Sequence, residues 1–144
     1  MPLLDKAAGK IADRLPTVIS PRAHAIIDYA SAAAFLAMSG VLWRKNRRAA
    51  LASLICGGSE LLVNSVTDYP GGMGGAISFP LHGRIDAGLA AMTGTMPVFF
   101  GFEDTAQSRF FRLQAIGIAA VAGLTDFTGT GERKQLKKME KRTA

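Results

Sequence analysis

A single cysteine, Cys56, excludes an intrachain disulfide and leaves the redox compartment open. No Ser, Thr or Cys stands at a recognisable spacing from a base, so nucleophilic catalysis has no candidate and an enzyme is not expected. The E-x-x-H pattern of di-iron bundles and the H-E-x-x-H of zinc peptidases are both missing. The Gly-rich link Gly71-Gly72-Met73-Gly74-Gly75 lacks the Lys-Ser/Thr that would reach a phosphate, and it follows a helical pattern rather than a strand. It reads as a flexible connector. No uncharged stretch attains the roughly 18 residues that would by itself mark a membrane span, because Asp28, Glu60, Asp86 and Arg112 interrupt the apolar runs.

What the chain does have is apolar bulk and a repeat. Hydrophobic residues make up 49% of 144 positions, against a net charge of +6. The basic residues lie at segment ends rather than along one face: Arg44, Lys45, Arg47 and Arg48 between two apolar runs, and Arg133 to Arg142 in the tail. That placement suits membrane flanks and anionic lipid, not nucleic acid.

His24 and His82 are 58 positions apart (82 − 24), and the same offset carries Ile27 to Ile85, Asp28 to Asp86, Ala32 and Ala33 to Ala90 and Ala91, and Met38 to Met96. Without a gap it continues from Val63 to Val121, Thr67 to Thr125, Asp68 to Asp126 and Gly71 to Gly129. These ten identities exceed the roughly three or four that chance would give at this composition. Each unit opens on H-x-x-x-D and closes on T-D-[YF]-x-G.

The spacing predicts four helices, over about 23–43, 48–67, 81–100 and 109–126. Each is near 20 residues, roughly 30 Å at about 1.5 Å per residue, the thickness of a bilayer core. A soluble bundle is the competing architecture, but it needs a charged face on each helix. The stretches 29–43 (YASAAAFLAMSGVLW) and 113–125 (LQAIGIAAVAGLT) have none, and their small residues suit close helix contact in lipid. The predicted fold class is therefore all-α: a four-transmembrane-helix bundle built from two tandem, parallel helical-hairpin repeats. Its divisions are an amphipathic N-terminal segment (1–20), hairpin repeat 1 (21–72), hairpin repeat 2 (73–130) and a basic tail (131–144). A cleaved signal peptide is disfavoured, since the leading segment is long, carries two acids and would take part of a repeat with it. Two helices per repeat put both motifs and both termini on one face of the membrane. That face carries eleven Lys and Arg against six, which points to the cytoplasm, although the cluster at Arg44 to Arg48 pulls the other way.

With the repeat laid out, the chain resembles the SPW-repeat family of small bacterial membrane proteins. Met96-Pro97-Val98-Phe99-Phe100-Gly101-Phe102 stands where that family has S-P-W-L-x-G-F, keeping Pro97, Gly101 and Phe102. In the first unit Met38-Ser39-Gly40 occupies the place, without a proline. The resemblance covers about residues 20 to 128. It implies four membrane helices in a bacterial inner membrane, and no reaction.

His24 and Asp28 share a helix face at i and i+4, as do His82 and Asp86. Asp28 and Asp86 sit near helix N-termini, where the macrodipole favours them. Asp68 and Asp126 sit near C-termini, where it does not, and so need partners such as His24, His82, Arg22 or Arg84. Three readings stay open. His24, Asp28, His82, Asp86, Asp68 and Asp126 are a ligand set for zinc, iron or manganese. A haem between His24 and His82 is another version. Or the pairs form a polar clamp that fixes the hairpins in register with no cofactor at all. Glu60, whose repeat mate is Ile118, is an acid at mid-membrane depth with Asn64 one turn on. It is either a proton or cation relay, or an acid held protonated, bonded to Asn64 or bonded to another subunit. The lipid bilayer is the expected partner, with a homo-oligomer or larger membrane complex beside it. An accessory or structural membrane subunit and a redox or transport protein are the two functional classes that follow.

Overall fold

The structure, a computed structural model, describes residues 16–128. The amphipathic segment read over 2–15, the end of the second repeat at Gly129 and the basic tail lie outside the described residues. Four helices carry the fold: α1 (Pro21–Leu42), α2 (Arg47–Val66), α3 (Phe79–Phe99) and α4 (Gln107–Leu124). Each starts one or two residues before the apolar run that betrays it in sequence. For α1 and α2 the reason is capping. Ser20 accepts from the Ala23 N–H at 3.2 Å with Pro21 in the first turn, and Asn46 accepts from the Ala49 N–H at 3.1 Å.

α1 packs along α2, and α3 along α4, as two hairpins; α2 meets α3 less extensively and α1 barely meets α4. Small residues set the seam between α1 and α2. A Cβ at Gly57 would lie 2.9 Å from the Phe35 Cβ and 3.0 Å from the Ala32 carbonyl, so only glycine lets these backbones approach so closely. The core of the bundle gathers Phe35, Ala49, Ala52, Cys56, Phe102 and Phe111.

The segment that resembles the family motif turns out to be a helix stop. Gly101 takes φ +65°, its N–H donates to the Val98 carbonyl at 3.1 Å, and the Phe102 N–H reaches back to Pro97 at 2.8 Å. That pair of bonds is a Schellman cap, which needs a residue free to adopt the left-handed conformation. Phe102 then folds under the cap, buried against Phe111 with ring centroids 5.1 Å apart.

Two short strands, which no sequence pattern announced, join the hairpins. β1 (Thr67–Asp68) leaves α2 and β2 (Ile77–Ser78) leads into α3; they pair in parallel, Thr67 opposite Ile77 and Asp68 opposite Ser78. At the other seam Ile19, just before α1, bridges Thr125, just after α4, also in parallel. Ile19 and Ser20 map to Ile77 and Ser78 at the same offset of 58 (77 − 19). The two seams are therefore one structure made twice, and in each the start of one repeat pairs with the end of the other. The glycine link between them is tied down rather than loose, with the Met73 and Gly74 N–H groups donating to the Ser65 carbonyl at 2.7 and 3.0 Å.

Beside its apolar core the bundle buries polar side chains and exposes large apolar ones. Buried positions include His24, Ser53, Glu60, Asn64, His82 and Thr93, while Ile26, Val41, Leu62, Val98, Leu113 and Ile116 are each more than 60% exposed. So much large apolar surface requires a cover. By length and composition α1 and α2 are the two helices among the described residues that could cross a membrane. α3 carries His82, Arg84 and Asp86 in its first turns, and α4 carries Arg109 and Arg112.

Candidate metal centre

One end of the bundle brings together the first turns of α1 and α3 and the exits of α2 and α4. His24 and His82 are both fully buried there, with their Nε2 atoms 3.3 Å apart. His24 Nε2 lies 3.2 Å from Asp28 Oδ2 and 3.1 Å from Asp86 Oδ2. His82 Nε2 lies 3.1 Å from Asp28 Oδ2 and 3.2 Å from Asp86 Oδ1. Each imidazole thus meets the carboxylate on its own helix and the one on the symmetry-related helix. Of the six ligand candidates read from sequence, these four converge.

Asp68 and Asp126 do not join them. Asp68 is exposed on β1, and Asp126 turns to Thr128, accepting from its N–H at 3.0 Å and its hydroxyl at 2.7 Å. Arg22 and Arg84 are exposed as well. The partners of the histidines are the threonines immediately before those aspartates. Along an extended segment successive side chains point to opposite faces, so Thr67 and Tyr69 turn inward and Asp68 outward. The T-D motif is legible as a repeat, but its acid is the more conspicuous residue and its threonine is the one at the site.

These threonines fix the chemistry of the rings. The Thr67 hydroxyl donates to the Val63 carbonyl at 2.6 Å, and the Thr125 hydroxyl to the Val121 carbonyl at 2.6 Å. With its proton so committed, each oxygen accepts from an imidazole: the His82 Nδ1–H donates to Thr67 at 2.8 Å and the His24 Nδ1–H to Thr125 at 2.7 Å. Nδ1 therefore carries a proton in both rings, and Nε2 is the atom left to do chemistry. Two nitrogen lone pairs and two carboxylates converging at 3.1–3.3 Å repel one another unless positive charge lies among them. A divalent ion supplies it, or protons on Nε2 do.

The geometry fits a small divalent ion. Tetrahedral bonds of about 2.0–2.1 Å place ligand atoms about 3.3–3.4 Å apart. The three buried candidates His24, His82 and Asp86 each bring one ligand atom within 4.8 Å of the others, with the two nitrogens 3.3 Å apart, Asp86 offering Oδ2 to His24 and Oδ1 to His82, and Asp28 Oδ2 within 3.2 Å of both nitrogens. A haem does not fit. Iron between the rings would hold the nitrogens about 4 Å apart with a macrocycle between them, and the two rings instead touch, tilted 73° at a centroid distance of 5.3 Å.

Aromatic rings close the site from outside. Phe127 lies edge-on to His24 at 5.2 Å, its repeat mate Tyr69 lies against His82 at 5.1 Å, and Phe79 packs on Phe127 at 4.8 Å. The one polar difference is the Tyr69 hydroxyl, which donates to Asp28 Oδ2 at 3.3 Å. Burial and the facing Asp28 carboxylate push this phenol well above the ordinary tyrosine range, so it remains a donor.

Deeper in the bundle, Glu60 is buried; the Ser31 hydroxyl interacts with its carboxylate, but no hydrogen bond of ordinary geometry reaches either oxygen, and the Asn64 Nδ2 is unpartnered too. The bond between these two side chains that their spacing allows is not made. Both line an internal cavity of about 90 Å³ that also reaches Asp28 and Asp86. Cys56, in contrast, is a packing residue, buried under Thr93.

Compared with protein-family models, with curated proteins and with solved structures, the chain matches none.

Proposed function

We propose that this chain is an integral membrane protein of four spans, of the SPW-repeat kind, and that the end of its bundle binds a divalent transition-metal ion. His24 and His82 hold the ion through Nε2, with Asp86 and Asp28 completing the set, and Thr67 and Thr125 hold the rings. Such a mixed imidazole and carboxylate set suits zinc, iron or manganese. The observation that carries this reading is the pair of Nδ1–H bonds to threonine, which leaves both Nε2 atoms, 3.3 Å apart, facing two carboxylates. The ion locks one hairpin to the other, so its role is architectural. The protein then serves as a metal-dependent membrane subunit, alone, as a homo-oligomer or within a larger complex.

The purified protein is expected to carry a stoichiometric ion by elemental analysis. Stripping that ion with a chelator should lower the thermal midpoint, and returning zinc or manganese should restore it, because binding to the folded state is folding free energy. A second reading, a metal-free clamp with both Nε2 atoms protonated, has one observation in its favour: all four nitrogen-to-carboxylate distances are hydrogen-bond lengths. Protein that holds no ion under any loading condition would decide for it.

The apolar exterior and the length of α1 and α2 support the membrane reading; the bacterial inner membrane rests on the family resemblance, and cytoplasmic termini on the count of Lys and Arg. Cysteines introduced at Gly72 and Thr130 are expected to label from one side, and one at Asn46 from the other. Labelling of Asn46 and Gly72 from the same side would refute four spans.

A further inference from the structure

The repeat separates the polar residues that the fold needs from those that it does not. At the offset of 58 (89 − 31), Ser31 maps to Leu89, Glu60 to Ile118 and Asn64 to Ala122, and Gln114 maps back to Cys56. In every pair one member is polar and its mate is apolar, so the bundle closes at these positions without polar groups. The four polar members come from α1, α2 and α4, yet three of them, Ser31, Glu60 and Asn64, face Gln114 across one cavity of about 90 Å³. Glu60 is 4% exposed and Asn64 2%. No hydrogen bond of ordinary geometry reaches either Glu60 oxygen, and the Asn64 Nδ2 is unpartnered. The Ser31 hydroxyl donates to Gln114 Oε1 at 3.3 Å, and both oxygens keep a lone pair to offer. The lining contains no Lys, Arg or His. Its other two carboxylates, Asp28 and Asp86, are already engaged with the imidazoles at the bundle end. Glu60 is thus the acid left without compensation, and a buried carboxylate is kept only where a proton or a positive charge meets it. A proton alone accounts for neither the room nor the oxygens gathered from three helices, because a neutral acid needs a single acceptor.

We propose that this cavity binds a small monovalent inorganic cation, sodium or potassium, held by the Glu60 carboxylate with the oxygens of Ser31, Asn64 and Gln114. Oxygen donors are hard ligands, suited to such ions rather than to the transition metals that imidazole takes. One uncommitted carboxylate matches one positive charge, whereas a divalent ion would leave a net charge buried. The volume takes the ion with a water or two at about 30 Å³ each, and such water gives the Asn64 amide an acceptor. The site is separate from the candidate metal centre. Neither histidine lines the cavity, and Glu60 is outside the group whose ligand atoms lie close enough to share an ion. The inference therefore does not rest on the metal reading. The bond from Ser31 to Gln114 crosses the seam where α1 barely meets α4, so a cation there ties together the least packed pair of neighbouring helices.

The test uses the purified full chain with choline as the background cation, and sodium chloride or potassium chloride added at constant ionic strength. The thermal midpoint is expected to rise saturably with at least one of the two ions, as binding to the folded state requires. Isothermal titration calorimetry should give the same affinity, and the ion that binds more tightly is the one the site selects. Glu60→Gln, which keeps the shape and removes the charge, should abolish the saturable response. Ser31→Ala and Asn64→Ala should each weaken the affinity by about 10-fold, the usual cost of losing one polar contact to a charge. Asp104→Asn, at an exposed acid outside the cavity, should leave it unchanged. A wild-type protein that responds to neither ion overturns the inference, as does a saturable response that persists in Glu60→Gln. Should Glu60→Gln fail to fold, the two alanine variants decide, and wild-type affinity in both overturns it. Neither result bears on whether the histidines hold a transition metal, which elemental analysis reads separately.

Discussion

His82→Ala is expected to abolish ion binding and to release the two hairpins from each other, and His24→Ala to do so to a similar degree. Each imidazole is fully buried and spans both carboxylates, so removing one leaves two acids facing a single ring. Breaking a buried pair in this way costs on the order of 3 kcal/mol, because the surviving partners stay desolvated without compensation. Unfolding in mixed micelles by a graded denaturant reads the loss, and elemental analysis of the same samples reads the ion. The double variant should cost less than the sum of the singles by about 1 kcal/mol or more, since both changes dismantle one network. Small, strictly additive effects with the ion retained would refute the cluster as a unit.

Thr67→Val and Thr125→Val test a different link, the one between ring orientation and affinity. Valine keeps the branched shape and suits the extended exit from the helix, so strand pairing survives. The hydroxyl is lost, and with it the acceptor that holds the Nδ1 proton at 2.8 Å for His82 and at 2.7 Å for His24. Each substitution is expected to weaken ion binding by roughly 10- to 100-fold, the usual cost of removing the group that orients a ligating imidazole. Competition against a chromophoric chelator measures it. Affinity unchanged in both variants would mean that these hydroxyls serve only to finish their helices.

How far the sequence carries can be judged residue by residue. The helices were legible because Ala- and Gly-rich apolar runs near 20 residues long have few other uses; their starts fall one or two residues early, at α1 and α2 because Ser20 and Asn46 cap them. The convergence of His24, Asp28, His82 and Asp86 was legible because one offset places them at matching depths. What the sequence hid is short or relational. A two-residue strand such as β1 leaves no periodic trace, so nothing revealed that Asp68 would face outward and Thr67 inward. Haem and metal looked alike until the 3.3 Å gap between nitrogens separated them. The void beside Glu60 was beyond reach for another reason: it is made by what four helices fail to fill, and no local pattern encodes that.

The crossed seams have a consequence for how this architecture came to exist. Ile77 pairs with Thr67 inside the chain, and Ile19 pairs with Thr125 where the chain closes on itself. A lone hairpin of this type would carry half of every contact and could complete the quartet only by meeting a copy of itself. Its ion would then be bound in proportion to how often two hairpins collide in the membrane. The nine-residue step from Asp68 to Ile77 (77 − 68) replaces that collision with a tether, for which effective concentrations lie in about the millimolar range. Fusion frees the two halves to diverge, since they no longer need to be identical to find each other. Glu60 opposite Ile118, and Tyr69 opposite Phe127, are differences that a self-pairing hairpin could not have held.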